Sequence, residues 1–302
     1  MKLPERLHPV EIVYSTHEEL ERNNYLDAVI KTVVNIHRHE PHGDVLVLLS
    51  EEEEVEDVCQ KISKEFSKLG DLVGPMKLVP LYSYLPATMQ HKIHEETCSG
   101  RKIVVTTDIV ESSLTIHGIS YVVDSGFVKK KVFDPKLHIE SLVMSPISKA
   151  SADMRSEHAG RSTSDRRKGK CFRLYTEESY NNLDLETCPE ILRLNLANMI
   201  LSLWKLDVDD FWSFGYVDFP DVDSLVCAFA TLVNLGALDQ ECKLTNIGEM
   251  MSMFPLEPQM SKMLVVSPQF NCSEEILSIS SMLSGNALWQ RFYALSYGFE
   301  GC

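Results

Sequence analysis

The residues most able to do chemistry form a basic stretch in an otherwise acidic chain. Residues 125–175 hold twelve of the 29 Lys and Arg but only five acids, a local balance of +7, while the remainder of the chain stands at −22. The segment Lys149–Arg173 concentrates these cations at Arg155, Arg161, Arg166, Arg167, Lys168, Lys170 and Arg173. Guanidinium groups at this density predict an element that faces phosphate. The alternative is a solvated basic loop without a ligand.

Composition limits what the rest of the chain can be. With 302 residues, 44% hydrophobic, the sequence predicts a globular protein of two or three domains. The net charge of −15 has the wrong sign for a protein that coats nucleic acid, but a basic island on an acidic body fits a local phosphate or RNA contact. We expect no membrane partner, because no apolar run approaches the ~20 residues of a membrane span, and the N-terminus lacks the apolar core of a signal peptide.

The eight cysteines are scattered without a CxxC pair, which predicts reduced thiols inside the cell and no disulfide framework. His91, His94 and Cys98 could share one helix face, but a metal site needs more ligands, so we expect no metal.

Apolar runs and helical stripes alternate in the first half of the chain. Strands are predicted at residues 45–49, 77–82, 103–107 and 119–124. Three helices are predicted: one at 23–39, one that begins after a Ser50–Glu53 capping box, and one at 86–95. This order predicts an α/β domain with a parallel sheet and helices on both faces. Ligands of such sheets bind beyond the carboxyl ends of the strands. The candidates there are Ser50-Glu51, Tyr82-Ser83, Thr107-Asp108 and Asp124-Ser125-Gly126.

The second half begins with a hairpin and becomes helical. Residues 129–133 and 141–146 flank Asp134-Pro135-Lys136, and residues 171–175 predict a closing strand. Beyond about residue 181, the pattern predicts a long apolar helix over 191–204, a second over 223–235, a wing near Lys243-Leu244-Thr245, and shorter helices at 247–254, 258–266 and 273–283. We expect four aromatic side chains to form the core of a domain interface and not to stack on RNA bases, and they are Trp204, Phe211, Trp212 and Phe214.

The common signatures of nucleotide binding and of nucleophilic catalysis are missing from the sequence. The sequence contains neither GxxxxGK[ST] nor GxGxxG, and no local Ser/His/Asp or Cys/His arrangement. Activity of this chain as an isolated enzyme is therefore poorly supported.

Several ordered segments nevertheless resemble one family. They are HPVEIVY (8–14), GDVLVLLSEEEEVEDV (43–58), PLYSYLP (80–86), RKIVVTTDIVESSLTIHGISYVVDSGF (101–127), SKASADMRSEHAGR (148–161), GKCFRLY (169–175), CPEILRLNLANMIL (188–201) and LTNIGEMMSMFPLEPQMSKMLVVSP (244–268). Together they closely resemble a DEAH-box RNA helicase of the spliceosome-disassembly and ribosome-biogenesis branch, in a plant-like form, from about residue 4 to Leu283.

The resemblance implies a domain order. It predicts an extended lead-in at 1–22, a second RecA-like domain at 23–180, a winged-helix domain at 181–249, the start of a helical ratchet at 250–284 and a divergent tail at 285–302. The family's first RecA-like domain, with its phosphate loop and DEAH box, is expected before residue 1, and its OB-fold after Leu283.

The resemblance also assigns site residues. It places RNA contacts in the segment with Thr107, Asp108, Glu111 and Ser113, and at Ser83 and at Lys129 of the hairpin. Arg155, His158 and Arg161 fall on the arginine positions of a QRxGRxGR motif that reaches ATP phosphates, with Arg155 and Arg161 as the catalytic candidates. Three further residues are expected near the nucleotide, namely His94, Thr115 and His117.

Several of these positions depart from the family pattern. His158 replaces an arginine, and a mostly neutral imidazole cannot act as a guanidinium. Asp108 stands where the family has Asn, and its charge would repel an RNA phosphate. The other departures are Met154, Glu157, His117, His94, Glu51 and Tyr84.

Two functions follow as hypotheses. The first is the C-terminal half of an ATP-dependent RNA helicase of pre-mRNA splicing, which couples hydrolysis of ATP with Mg²⁺ to translocation on RNA. Its implied partners are RNA and spliceosomal or ribosome-biogenesis factors, and its location is nuclear, with the cytoplasm as a second location. A G-patch-type activator is a doubtful partner, because such activators dock largely on the OB-fold. The second hypothesis is a truncated, catalytically silent paralogue that serves only as an interaction module or has no function.

Overall fold

The chain forms two compact units. A computed structural model describes residues 8–16, 25–69, 74–82, 100–112, 116, 118–161, 168–208 and 210–284. The first unit comprises residues 1–130 and 143–187, and the second comprises 131–142 and 188–302. The chain therefore passes between the units at the hairpin as well as at residue 187.

A six-stranded parallel sheet forms the first unit. Its strands are β1 (Val10–Tyr14), β2 (Asp44–Leu48), β3 (Met76–Leu81), β4 (Arg101–Thr106), β5 (Ile119–Asp124) and β8 (Gly169–Arg173), in the order β1-β8-β5-β2-β4-β3. Every neighbouring pair is parallel, as the sequence predicts. The sequence pattern missed β1, an edge strand that lies in the predicted lead-in.

The central strands are buried on both faces. Along β2, Val45 and Val47 pack into one core with helices α1 (Tyr25–His39) and α2 (Glu52–Leu69), while Leu46 and Leu48 pack into a second core on the opposite face. Successive side chains of a strand point to opposite faces, which explains the continuous apolar run of β2. Helices cover both faces of the sheet, as expected.

The start of α2 differs from the prediction in one residue. Glu54, not Glu53, closes the capping box: its Oε2 accepts from the hydroxyl of Ser50 at 2.8 Å and from the amide of Glu51 at 3.1 Å. This arrangement fixes the loop that follows β2 at the carboxyl edge of the sheet.

The basic stretch begins with a helix beside the sheet. Helix α3 (Ile109–Ser112) lies between β4 and β5. Farther along, the chain runs from the hairpin strands β6 (Phe127–Asp134) and β7 (Ile139–Pro146) through α4 (Lys149–Glu157) and a 3₁₀ turn (His158–Arg161) into β8, with α5 (Glu177–Asn181) after it. Gly169 of β8 lies so close to the 3₁₀ turn that an added Cβ would meet the carbonyl oxygen of Ala159 at 2.2 Å. Only glycine fits there, so the turn with His158 and Arg161 rests directly on the sheet.

The second unit is mostly helical. Its helices are α6 (Ala197–Lys205), α7 (Val222–Asn234), α8 (Asn246–Ser252), α9 (Pro258–Val266) and α10 (Ser273–Ser284). They enclose a core that includes Ile200, Leu225 and Leu232. The predicted wing appears as a single antiparallel bridge between Leu238 and Leu244.

Two predictions for this unit are wrong. The long helix predicted over 191–204 is interrupted. A 3₁₀ turn covers Glu190–Leu192, and α6 begins only at Ala197, whose amide donates to the Asn195 side chain at 2.9 Å. Trp212 and Phe214 are exposed and not core, whereas Phe211 is buried as expected.

Candidate functional site

The carboxyl edge of the sheet brings three predicted loops together. Strands β5, β2 and β4 are neighbours in the sheet, so their ends place Asp124, Ser50 and Thr107 along one edge. The amide of Leu49 donates to the carbonyl of Thr106 at 2.8 Å, which joins the loops after β2 and β4. This edge is the one at which parallel sheets bind ligands.

The turn after β4 carries the predicted RNA contacts. Thr107 is buried and Asp108 is exposed, and the amide of Glu111 donates to the carbonyl of Asp108 at 2.9 Å to start α3. Partial desolvation raises the pKa of the Asp108 carboxyl above its ordinary value, and the Glu111 carboxylate adds to this while Arg155 opposes it. Unless that carboxyl is protonated, it places a negative charge at the turn.

Arg155 is held inside the first unit. Its side chain is fully buried, and its guanidinium donates to Glu111 Oε2 at 3.1 Å, to Asp124 Oδ1 at 2.8 Å and to the carbonyl of Phe127 at 3.3 Å. Burial disfavours the charge, but the two carboxylates outweigh that cost and raise the pKa of Arg155. Arg155 thus ties α4 to α3 and to the end of β5.

Asp124 is the centre of this buried network. Besides Arg155, it accepts from the amide of Gly126 at 3.0 Å and, through Oδ2, from the hydroxyl of Tyr175 at 2.8 Å. Burial, followed by the Asp124 charge, raises the pKa of the Tyr175 phenol. Gly126 has φ +80°, and an added Cβ would meet the Tyr175 ring at 2.6 Å, so this turn requires glycine.

His158 and Arg161 differ sharply in their surroundings. His158 is buried, and neither ring nitrogen makes a hydrogen bond of normal geometry with the described residues. Burial lowers the pKa of His158 to about 4, helped by the nearby Arg161 charge and opposed by the Val110 backbone and Glu111. Arg161 is partly exposed and forms no ion pair with an acid in the described part of the chain.

Most other described cations of the basic stretch are engaged elsewhere. Arg173 is buried, donates to Asp153 Oδ1 at 2.9 Å and lies over the Tyr180 ring at 4.2 Å. Lys170 pairs with Glu40 at 2.7 Å. The fold thus gives Arg173 and Lys170 acidic partners of their own, and a phosphate contact by either residue stays a prediction.

Lys129, the predicted RNA contact on the hairpin, is paired with an acid from the sheet edge. Its Nζ lies 3.0 Å from Glu51 Oε2, and both side chains are partly exposed. An ion pair at this exposure contributes only about 0–1 kcal/mol, so a phosphate can compete for the lysine.

Comparisons with known proteins identify the family of this chain. Family models match in chain order: the helicase conserved C-terminal domain at residues 24–171, the winged-helix helicase-associated domain at 228–256 and the ratchet-like helicase-associated domain at 257–294. The pre-mRNA-splicing factor ATP-dependent RNA helicase prp22 of Schizosaccharomyces pombe is 45% identical over 291 residues, which are 96% of this chain and 24% of that protein. The chain belongs to the DEAH-box RNA helicase family.

Solved helicase structures share the fold of this DEAH-box chain. A crystal structure of Escherichia coli DEAH/RHA helicase HrpB has a TM-score of 0.83 at 29% identity, covering 94% of this chain and 34% of that one. A structure described as E. coli DExH-box NTPase HrpB gives a TM-score of 0.79 at 29% identity, with 93% and 33% covered. The chain thus spans about a quarter to a third of the length of these relatives.

Several predicted contacts of the DEAH-box chain lie outside the described residues. They are Ser83, His94, Ser113, Thr115 and His117. Their roles stay predictions. The described residues contain no group of three or more His, Cys, Asp or Glu side chains that could hold a metal ion. None of the described helices is long and apolar enough to cross a membrane.

The three arginine positions fit a nucleotide only in part. Arg161 offers an available guanidinium, but Arg155 is buried in ion pairs and His158 is a buried, neutral imidazole near pH 7. A phosphate contact by Arg155 stays a prediction without support from this geometry. The sequence pattern missed Tyr175 and the central role of Asp124, for which the only signal was an acid at the end of a buried strand.

Proposed function

We propose that this chain is a C-terminal portion of an ATP-dependent DEAH-box RNA helicase of pre-mRNA splicing, which couples ATP hydrolysis to movement on RNA. The observation that carries the proposal is 45% identity, over 96% of this chain, to a protein named as a splicing RNA helicase. The splicing role, the nuclear location and spliceosomal partners come from that relationship. Ribosome-biogenesis factors and a cytoplasmic location remain further expectations.

RNA would bind at the carboxyl edge of the sheet. The turn at Thr107 and Asp108 and the hairpin residue Lys129 all follow or adjoin strands that end there. Thr107 and the backbone of the turn would position the RNA, while Lys129 would leave Glu51 to meet a phosphate. Asp108 and Glu51 weaken this contact, because each places a carboxylate where phosphates would approach.

The energy source would be ATP with Mg²⁺, whose hydrolysis supplies free energy for movement. The family's first RecA-like domain, which carries the phosphate loop, would hold most of the nucleotide, since the 302 residues contain no GxxxxGK[ST] motif. From this chain, Arg161 would approach the phosphates as a charged, planar donor. Arg155 would act indirectly, because its pairs with Glu111 and Asp124 keep α4 against the sheet.

RNA binding by the purified chain tests the first half of the proposal. In fluorescence anisotropy with a labelled single-stranded RNA, we expect weak binding that falls with salt. Lys129→Ala should weaken binding several-fold and reduce the logarithmic salt slope by about 0.7, the value for one contact on a single strand. Glu51→Gln should strengthen binding, because it frees Lys129.

Lys64→Ala is the matched control, since Lys64 is an exposed lysine on α2 without an ion pair among the described residues. It should leave RNA binding unchanged. If the wild-type chain fails to bind RNA even at low salt, the RNA-binding proposal is wrong.

ATP hydrolysis tests the second half. The chain alone, with or without RNA, should show no turnover, because the catalytic phosphate site needs the other RecA-like domain. Robust ATP turnover by the isolated chain would refute the proposal that the other RecA-like domain is needed for hydrolysis.

The second candidate function is a catalytically silent paralogue. The specific observation in its favour is His158, a buried neutral residue at an arginine position. The sequence of the transcript distinguishes the two: a RecA-like domain with GxxxxGK[ST] and DEAH in the same reading frame favours the helicase. Its absence favours the paralogue.

A further inference from the structure

An exposed group of aromatic side chains lies on the second unit. It occupies part of the segment between α6 and α7 together with the start of α7, and we call it the Asp-aromatic surface (residues 210–226). Trp212 is 56% exposed, Phe219 is 46% exposed and Val217 is fully exposed at 100%. Phe214, Val222 and Val226 add further exposed apolar area. Contiguous exposed apolar surface on a folded protein marks an interaction site.

The rings form an ordered array. Trp212 stacks on Phe219 with ring centroids 6.2 Å apart and an interplanar angle of 26°. Tyr216 meets Phe219 edge-to-face at 5.6 Å and Phe214 at 4.9 Å. These geometries are the favourable ones for aromatic pairs, so the rings present a defined surface.

Both ends of the segment are anchored in the fold. Phe211 is buried and packs edge-to-face on Phe229 of α7 at 5.3 Å. The Asp210 carboxylate accepts from the amide of Ser213 at 3.0 Å, and the Asp221 carboxylate caps α7 by accepting from Ser224 at 3.1 Å. The exposed rings between these anchors are therefore held in place, which lowers the entropy cost of binding a partner.

The charge of the surface is uniformly negative. The sequence has six aspartates between residues 207 and 223, and no Lys, Arg or His from 206 to 242. Asp210, Asp218, Asp221 and Asp223 are exposed, and no described ion pair neutralises them. Aromatic rings of this kind can stack on RNA bases, but this charge would repel the phosphates.

We propose that the Asp-aromatic surface binds a basic, apolar polypeptide segment of a partner protein. Arginine or lysine side chains of the partner would lie over the Trp212 and Phe219 rings and face the aspartates, while its apolar side chains cover Val217 and Val222. A cation over an aromatic face is favourable, and nearby carboxylates reinforce it. None of these residues is among the proposed RNA and ATP contacts, which belong to the first unit.

Titration of synthetic peptides into the intact chain tests the proposal. The probe is an amphipathic helix with Arg and Leu on one face, compared with the same peptide carrying Glu in place of Arg. We expect micromolar binding of the Arg peptide by calorimetry and none of the Glu peptide. Trp212→Ala should weaken binding about tenfold, as for a central aromatic contact.

Two further variants separate charge from folding. Asp218→Asn with Asp223→Asn should weaken binding about threefold and flatten its salt dependence. The carboxylates of Asp218 and Asp223 accept no hydrogen bond in the described part of the chain, unlike those of Asp210 and Asp221, which stabilise turns. Phe270→Ala is the control, since Phe270 is an aromatic residue of the same unit, 72% exposed and outside the surface, and its loss should not change binding.

Three results would overturn the inference. The first is that the Arg and Glu peptides bind equally well, or that neither peptide binds. The second is RNA binding that Trp212→Ala weakens, which would make the surface a nucleic-acid site. The third is self-association in analytical ultracentrifugation that Trp212→Ala abolishes, which would make a second copy of the chain the occupant.

Discussion

Arg155 and Arg161 belong to the same short motif but have different surroundings. The first is enclosed by Glu111 and Asp124, and the second is partly exposed without an acidic partner among the described residues. A guanidinium that already donates to two carboxylates and a carbonyl can reach a phosphate only after those bonds break. We therefore assign Arg155 a positioning role and leave Arg161 as the candidate for the nucleotide.

Replacement of Arg155 should destabilise the protein strongly. Arg155→Met leaves the fully buried Asp124 carboxylate without its cation, and breaking a buried pair in this way costs about 3–5 kcal/mol. Urea unfolding measures the change in the free energy of unfolding. Arg161→Met is the matched control, and we expect a change within about 0.5 kcal/mol. Equal and small effects of both substitutions would show that Arg155 is not held as the structure places it.

His158 should make stability depend on pH. Its folded-state pKa of about 4 is lower than the ordinary value of about 6.5, because burial disfavours the imidazolium. The unfolded chain binds more protons between these values, so stability is fully present above about pH 6.5 and falls as pH drops towards 4. The difference of about 2.5 pKa units corresponds to about 3 kcal/mol.

Urea unfolding of the wild type and of His158→Leu at several pH values isolates this effect from other titrating groups. The difference in stability between the two proteins should shift in favour of the leucine variant as pH falls from 6.5 to 4. A constant difference across that range would mean that His158 is solvated or has a polar partner.

At the scale of elements, strongly apolar sequence patterns were sufficient to predict strands, whereas weak or interrupted patterns did not predict the elements correctly. The runs in β2, β4 and β5 predict buried parallel strands because nothing else buries such sequences on both faces. β1 was missed because it is a short edge strand whose partner, β8, lies far along the chain. The apolar stripe over 191–204 suggested one helix, since periodicity alone does not register the break that Asn195 produces.

For the candidate site, the sequence predicted which loops lie together but not how their side chains pair. The rule that parallel strands end at one edge brings the loops of Ser50, Thr107 and Asp124 together without further information. The pairing of Arg155 with Asp124 and Glu111 could not be read from the sequence, because it depends on how α4 packs against the sheet. The pairing of Lys129 with Glu51 depends in the same way on the course of the hairpin.

At the scale of the whole molecule, each unit has a hydrophobic core of its own. Leu46 belongs to a core of the sheet, and Leu232 belongs to the core of the helical unit. The hairpin is divided between them, since residues 131–142 fall in the second unit although β6 begins in the first. Phe133 donates to the carbonyl of Arg193 at 2.8 Å, and the Cys227 thiol lies 3.3 Å from His138 Nδ1.

These contacts predict that the outer part of the hairpin opens with the helical unit. Leu46→Ala and Leu232→Ala each leave a cavity that costs about 2–5 kcal/mol, and each should destabilise mainly its own unit. Amide exchange measured by mass spectrometry at low urea should then show loss of protection at residues 131–142 in Leu232→Ala but not in Leu46→Ala. If residues 131–142 lose protection in Leu46→Ala instead, the pairing of the outer hairpin with its sheet-side half matters more than its contacts with Arg193 and Cys227. Both variants lose the same side-chain atoms from a fully buried site, so a difference between them reports where the hairpin is anchored.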